Sequence, residues 1–292
     1  MRRQAVGIWF SGNTGVFEMK AMVIGYGNAG KRHHEAYRRT GMDVVIADSR
    51  AIEGVTVTRW RDHLPEVDIV SICTPDEFHF EQTVECLKAG KHVMVEKPPC
   101  LRMDEMLFLE KWTKEHPEQG FACCLPLPWR FSDFADEITA LGPVYQIELE
   151  YNYGRRRKLV DGWRAHRDYS MVLGGGLHML DLMLWLVPDR PRDGFAMGTS
   201  TTKVRNDTVQ AVMKMKSGAI ARLGINGGYE GRHYHKVAVH GRDGVAAMET
   251  RDDVDHLAPI KVFVETLERG ERVSSARLWE AMRLCFEIEG QL

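Results

Sequence analysis

A glycine-rich turn between an apolar strand and a helix constrains this chain more than any other feature. Lys20-Ala21-Met22-Val23-Ile24 reads as a short buried strand. Gly25-Tyr26-Gly27-Asn28-Ala29-Gly30 follows it, and Lys31 to Thr40 reads as a helix. Each glycine has its own physical reason. Gly25 permits the tight bend, Gly27 lets the backbone approach a pyrophosphate, and Gly30 lets the helix pack on the strand. The helix N-terminus then offers free N–H groups and the positive end of its dipole to the anion. Tyr26, Asn28 and Ala29 complete the turn. Asp48 closes a second apolar run, Asp43 to Asp48, about 20 residues on, where a ribose-binding carboxylate belongs. This predicts a nicotinamide dinucleotide site. The charge of Asp48 repels a 2′-phosphate and favours NAD. Ser49 and Arg50 follow directly and suit the phosphate of NADP, so that cofactor stays open behind NAD.

The rest of the first half alternates strand and helix. Val67 to Cys73 and His92 to Val95 read as apolar strands, as does Gly120 to Leu125; Glu77 to Ala89 and Met103 to Glu115 have helical spacing. Gly90 suits a helix C-terminal cap. Such alternation predicts a parallel, doubly wound sheet. The second half changes character. Val144 to Tyr153 alternates polar and apolar residues, and further strands are predicted over Gly194 to Thr201, Thr208 to Lys216, Ala219 to Asn226, Tyr234 to His240 and Val245 to Thr250. Lys216-Ser217-Gly218-Ala219 reads as a hairpin turn. Leu177 to Leu186 is apolar on nearly every face and predicts a buried helix. The fold class is therefore α/β, with an α+β second domain on a large, mostly antiparallel open sheet. A chain of 292 residues exceeds one ordinary core. The expected division is an extension over residues 1–18, a dinucleotide-binding domain over 19–126, and a substrate-binding and oligomerisation domain over 127–292. The open sheet face suggests a homodimer or homotetramer.

A net charge of −2 leaves no basic excess to neutralise phosphates, which argues against nucleic acid as partner. No run approaches ~20 apolar residues, so no membrane span is expected. Six cysteines without a C-x-x-C pair read as reduced thiols of a cytoplasmic protein, and no metal site is expected. Arg2-Arg3 before Ala5 to Phe10 superficially resembles an export signal, but Ser11-Gly12-Asn13 breaks a short apolar run. A bland extension, or a start at Met19, is the preferred account.

The strand His92 to Val95 ends in Glu96-Lys97-Pro98, and upstream stands Cys73-Thr74-Pro75-Asp76-Glu77-Phe78-His79. On these two segments, from Lys20 onward, the chain resembles the Gfo/Idh/MocA family, the group of glucose–fructose oxidoreductase and inositol 2-dehydrogenase. The resemblance implies a Rossmann domain followed by an α/β domain, and NAD(P)-dependent oxidation or reduction at a sugar, sugar nucleotide or cyclitol hydroxyl. It further implies that Glu96 contacts the nicotinamide ribose, that Thr74, Pro75 and His79 line the cofactor groove, and that the Lys97–Pro98 bond is cis. Trp163-Arg164 matches a W-R pair that lies near the nicotinamide in relatives. The family's D-x-G-x-H-x-x-D stretch has its counterpart in Gly174-Gly175-Gly176-Leu177-His178-Met179-Leu180-Asp181. Gly176, His178 and Asp181 align; the first aspartate is replaced by Gly174.

Oxidising a carbinol carbon requires a group within hydrogen-bond reach of its hydroxyl. Lys97 fits, sharing the proton or, as a cation, polarising a carbonyl. His178 is expected as the general base, because imidazole titrates near neutrality. Asp181, one turn on, is expected to orient His178, bind substrate or cap a nearby backbone group. The three glycines suggest room for a bulky substrate group. Arg155-Arg156-Arg157-Lys158 reads either as a solvated loop or as a site for a substrate phosphate or carboxylate. Tyr153, His233 and His235 are placed along the same cleft. Two rival functions fit these residues: a glycosidase using tightly held NAD, and a non-catalytic dinucleotide-sensing regulator.

Overall fold

A computed structural model of the protein describes residues 19–126, 132–166, 169–251 and 257–292. The proposed extension over residues 1–18 lies outside the described residues. The first sheet is parallel, in the order β2-β1-β3-β4-β5, built from β1 (Ala21–Ile24), β2 (Val44–Ala47), β3 (Ile69–Ile72), β4 (His92–Val95) and β5 (Phe121–Cys123). These strands read as unbroken apolar runs because helices cover both faces. α1 (Asn28–Arg39) buries Gly30, His33, Ala36 and Tyr37; α2 (His79–Lys88) and α3 (Met103–Glu115) follow β3 and β4. Glu105 fastens the start of α3 by accepting the backbone N–H groups of Leu101 and Arg102. β1 is flanked by β2 on one side and β3 on the other, so the winding reverses there. At such a switch point ligands bind beyond the carboxyl ends of the strands.

The second sheet has six strands in the order β11-β10-β6-β9-β8-β7. They are β6 (Val144–Asn152), β7 (Pro191–Thr199), β8 (Thr208–Met215), β9 (Ile220–Asn226), β10 (Tyr234–Gly241) and β11 (Gly244–Arg251). Every neighbour is antiparallel except β6 and β9, which run parallel. Gly218 turns the β8–β9 hairpin at φ +96°. Two short helices, α4 (Ser132–Thr139) and α5 (Arg157–Val160), precede a continuous pair: a π-helical turn, Val172–Gly176, runs straight into α6 (Leu177–Leu186). The apolar α6 is buried, as its sequence predicts, between β6 and a terminal helix.

That terminal helix corrects the sequence reading, which stopped at Thr250. α7 (Leu257–Glu268) packs on α1, with Ile260, Phe263 and Val264 joining Ala21, Val23 and Tyr37 in one cluster. α8 (Ala276–Glu289) lies against α6 and α3, and Trp279 stacks on Phe121 of β5 with ring centroids 5.3 Å apart. The chain thus returns to the first sheet and ties its edge to the second. All six cysteines are free thiols. Among the described residues, no helix is long and apolar enough to cross a membrane.

Candidate active site

A cleft of about 1390 Å³ opens where the carboxyl ends of β1, β3 and β4 face the second sheet. It exceeds the roughly 300–1,000 Å³ of a drug-sized pocket, leaving room for a dinucleotide with a second molecule beside it. The glycine turn forms its floor. Gly25 sits at φ +90°, and a Cβ there would meet the Cys73 carbonyl oxygen at 2.7 Å. A Cβ on Gly30 would overlap the Gly25 carbonyl oxygen, so only glycine lets α1 sit this close to β1. At Gly27 a Cβ would meet nothing within 4 Å, and the residue borders open cleft. No side chain caps the N-terminus of α1, and its first turn holds no acid. These free N–H groups fit a pyrophosphate.

Asn28 and Ala29 line the cleft; Tyr26 does not, its hydroxyl lying 2.9 Å from His34 Nδ1. The Tyr26 backbone N–H donates to Asp48 at 2.8 Å. Asp48 also accepts the backbone N–H, Nε and Nη2 of Arg50, each at 2.9 Å. The Arg50 guanidinium, offered by the sequence as a phosphate ligand, is folded onto the carboxylate and holds it well below the usual carboxylate range. Ser49 lines the cleft next to them.

Thr74, Pro75, His79, Glu96 and Lys97 form the opposite wall. His79 Nδ1 lies 2.7 Å from the Pro98 carbonyl and Nε2 2.8 Å from that of Thr74, so the ring braces the two loops together. The Lys97–Pro98 bond is cis, as the resemblance implies. Glu96 Oε1 lies 3.1 Å from His33 Nε2; His33 Nδ1 lies 3.0 Å from Ser71 Oγ, which also meets the Tyr37 hydroxyl at 2.9 Å. Sequence reasoning missed this buried chain. Its signal was there: a serine inside an apolar strand, and His33 and Tyr37 one turn apart on α1. His33, Glu96 and Cys124 offer ligand atoms within 4.8 Å of one another. Both His33 nitrogens are already engaged, however, and burial pushes the Cys124 thiol well above its ordinary range. The cluster therefore reads as a hydrogen-bond network.

Lys97 reaches across the cleft, where its Nζ donates to the Gly174 carbonyl at 2.8 Å. The space expected over the glycines is filled by the protein itself. A Cβ on Gly174 would overlap the Tyr169 hydroxyl, and one on Gly175 the Tyr151 ring. The glycines admit two tyrosines rather than a bulky substrate.

His178 lines the same cleft, and its Nδ1 has no partner among the described residues. Burial, followed by the charges of Lys97 and His235, drives its pKa well below the ordinary value. The expectation of an imidazole titrating near neutrality is corrected: His178 stays neutral across the physiological range. Asp181 does not orient it. That carboxylate is buried outside the cleft and accepts Arg277 Nε at 2.7 Å, while burial raises its pKa against the pull of Arg277.

Tyr153, Arg155, Lys158, Arg164 and His233 line the outer cleft. Arg164 Nη1 donates to the Tyr153 hydroxyl at 3.2 Å. Arg156 lies outside, its guanidinium donating to the Thr201 carbonyl at 3.3 Å. His235 is buried behind His233, with ring centroids 4.6 Å apart. The side chain of Trp163 lies outside the described residues. Tyr169 also lines the cleft, a residue that the sequence analysis does not single out.

Burial, then Arg155, pushes His233 down to about 4. A histidine depressed on folding contributes stability above its unfolded value and loses it as pH falls toward the folded one. His233 alone should cost the fold on the order of 3 kcal/mol between pH ~6.5 and ~4. Thermal midpoints across this range check this. The drop should be smaller in His233→Gln, and identical curves for the two proteins would contradict it.

Residues 19–120 match the model of an oxidoreductase family with an NAD-binding Rossmann fold, and residues 138–247 match a GFO/IDH/MocA C-terminal domain. D-glucoside 3-dehydrogenase of Escherichia coli is 26% identical over 58% of this chain, a match spanning 54% of that enzyme's length. Myo-inositol 2-dehydrogenase from Lactobacillus plantarum superposes with a TM-score of 0.82 at 18% identity, over 94% of this chain and 96% of that one. Scyllo-inositol dehydrogenase from Lactobacillus casei, solved with NAD(H) and scyllo-inositol, gives 0.80 at 15% identity, with the same coverage. With residues 19–120 and 138–247 matched and the glycine turn, Glu96, Lys97 and His178 gathered around one cleft, the chain belongs to the Gfo/Idh/MocA oxidoreductase family.

Proposed function

We propose that the protein is an NAD-dependent dehydrogenase that moves a hydride between the nicotinamide and a hydroxyl or keto carbon of a sugar, sugar nucleotide or cyclitol. The observation that carries this is that Lys97 and His178 line the same cleft as the glycine turn. Gly25, Gly27, Asn28 and Ala29 would hold the pyrophosphate, Asp48 the adenosine ribose, and Glu96 the nicotinamide ribose. Bound NAD supplies the hydride acceptor. The chain's own residues handle the proton. Lys97, steadied by the Gly174 carbonyl, aims an N–H at the reacting oxygen and stabilises the negative charge that develops there. Neutral His178 accepts a hydrogen bond from the hydroxyl and takes its proton as the C–H bond breaks. In reduction Lys97 polarises the carbonyl oxygen, and the proton returns to that oxygen by the reverse path.

Arg155 and Lys158 make no ion pair among the described residues, and with Arg164 they give the outer cleft a cationic wall. This supports a substrate with a phosphate or carboxylate, for which paired guanidinium groups are suited. The free thiols fit a cytoplasmic protein. Exposed Tyr145, Phe195, Met197, Ile220 and Val245 on the second sheet fit a homodimer or homotetramer.

The test is a panel of sugars, cyclitols, uronic acids and sugar nucleotides, scored by absorbance of the reduced nicotinamide. Oxidation of at least one class with NAD is expected, and no turnover across the panel would sink the proposal. Asp48→Ala should shift the NAD/NADP ratio of kcat/KM by about 10- to 100-fold toward NADP, since hydrogen bonds to a charged group are lost. An unchanged ratio would remove Asp48 from the ribose site.

A further inference from the structure

The replaced aspartate leaves a question of chemistry that the geometry answers. The position where a side chain at residue 174 would begin is taken by the Tyr169 hydroxyl, which comes from five residues upstream, before the π-helical turn. Tyr169 lines the cleft, and the Arg164 guanidinium lies 4.9 Å over its ring, holding it from the outer side. The carbonyl of the same Gly174 holds Lys97 Nζ at 2.8 Å. One glycine therefore fixes both groups, the ammonium through its oxygen and the phenol through its missing Cβ.

We propose that Tyr169 is a substrate-contacting residue that stands in for the absent carboxylate, its hydroxyl donating a hydrogen bond to a substrate oxygen beside the one met by Lys97. This rests on the dehydrogenase reading above. A carboxylate can only accept and carries a charge, whereas a phenol hydroxyl donates as well. With Lys97, Arg155, Lys158 and Arg164 around it, this wall presents donors and positive charge to the substrate. The oxygen it recognises is therefore an acceptor: a carbonyl, carboxylate or phosphate oxygen on a carbon near the reacting one. No proton is transferred by Tyr169 in this role; it shapes binding and the position of the reacting carbon.

Tyr169→Phe keeps the ring beneath Arg164 and removes only the hydroxyl. With the best substrate of the panel, kcat/KM should fall about 10- to 100-fold, while NAD affinity, measured by fluorescence quenching, and the thermal midpoint stay at wild-type values. The double variant Tyr169→Ala with Gly174→Asp restores a carboxylate where the space has been cleared. It should recover about 10-fold over Tyr169→Ala alone. Tyr169→Phe with wild-type kcat/KM would overturn the proposal. Lys97→Met separates the two failures. If it abolishes turnover while Tyr169→Phe does not, only the tyrosine's role falls; if neither lowers turnover, the reaction does not take place beside Lys97; and no turnover by the wild type across the panel is what removes the dehydrogenase reading.

Discussion

Lys97→Met should lower kcat/KM for substrate oxidation by about 10²- to 10⁴-fold. Methionine keeps much of the length and apolar stem of lysine but cannot donate to the reacting oxygen or stabilise charge on it. The Gly174 carbonyl, buried in the π-helical turn, loses the Nζ hydrogen bond, a local cost of about 1–3 kcal/mol. The fold and the affinity for NAD should still hold, because the glycine turn, Asp48 and Glu96 are untouched. Steady-state kinetics with a parallel binding titration checks this. Activity within a few-fold of wild type would show that the ammonium is not at the reacting centre.

Gly30→Ala should have the second large effect, on the fold itself. A Cβ there runs into the Gly25 carbonyl oxygen and comes within 3.3 Å of Val23 Cγ1. Both obstacles belong to the strand and turn that α1 rests on, so the helix must slide away. Overpacking against backbone costs about 3 kcal/mol, a fall of roughly 10 °C in thermal midpoint for a domain of this size. NAD affinity should fall more than tenfold, because the free N–H groups of α1 move with it. Gly27→Ala is the contrast: its Cβ meets nothing within 4 Å, so the midpoint should hold while cofactor affinity falls. Calorimetry of the two variants, with NAD titrations, checks both. Equal midpoints would show that Gly30 is not the packing contact.

The parallel sheet was legible because its strands are buried on both faces and end in turns whose glycines have no substitute. Met103 to Glu115 matched its helix at both ends, since Glu105 fastens the start and the apolar spacing carries it through. The helices after Thr250 carry the same kind of signal in Leu278, Trp279, Met282 and Cys285, yet the pattern says nothing of what they pack on. That α7 returns to α1 of the first sheet is a tertiary fact, set by apolar matching between segments more than two hundred residues apart.

At the site, Gly25, Gly27, Asp48, Glu96, Lys97 and His178 line one cleft, whereas several other side chains lie elsewhere than the sequence suggests. Asp181 seemed a partner for His178, but a spacing of three along a helix fixes a face and not a contact; Arg277, from a helix not read, claims the carboxylate. His178 was expected to titrate near neutrality, and only its burial, with Lys97 and His235 beside it, drives its pKa well below the ordinary value. The triple glycine looked like empty space because the tyrosines filling it come from elsewhere: Tyr169 ahead of the turn, Tyr151 on β6. The cation run divides for a similar reason. Arg155 and Lys158 face the cleft, whereas Arg156 bonds to the Thr201 carbonyl, a distinction four consecutive charges cannot express.

Every role assigned to these side chains depends on hydride passing directly from a substrate carbon to a nicotinamide lodged beside Lys97 and His178. A panel substrate deuterated at its carbinol carbons, incubated with the protein and NAD, tests that transfer, with the reduced cofactor read by NMR. Deuterium at C4 of the nicotinamide ring, on one face only, is the result required. Reduced cofactor carrying no label, or label on both faces alike, would mean that the reaction does not take place in this cleft as described.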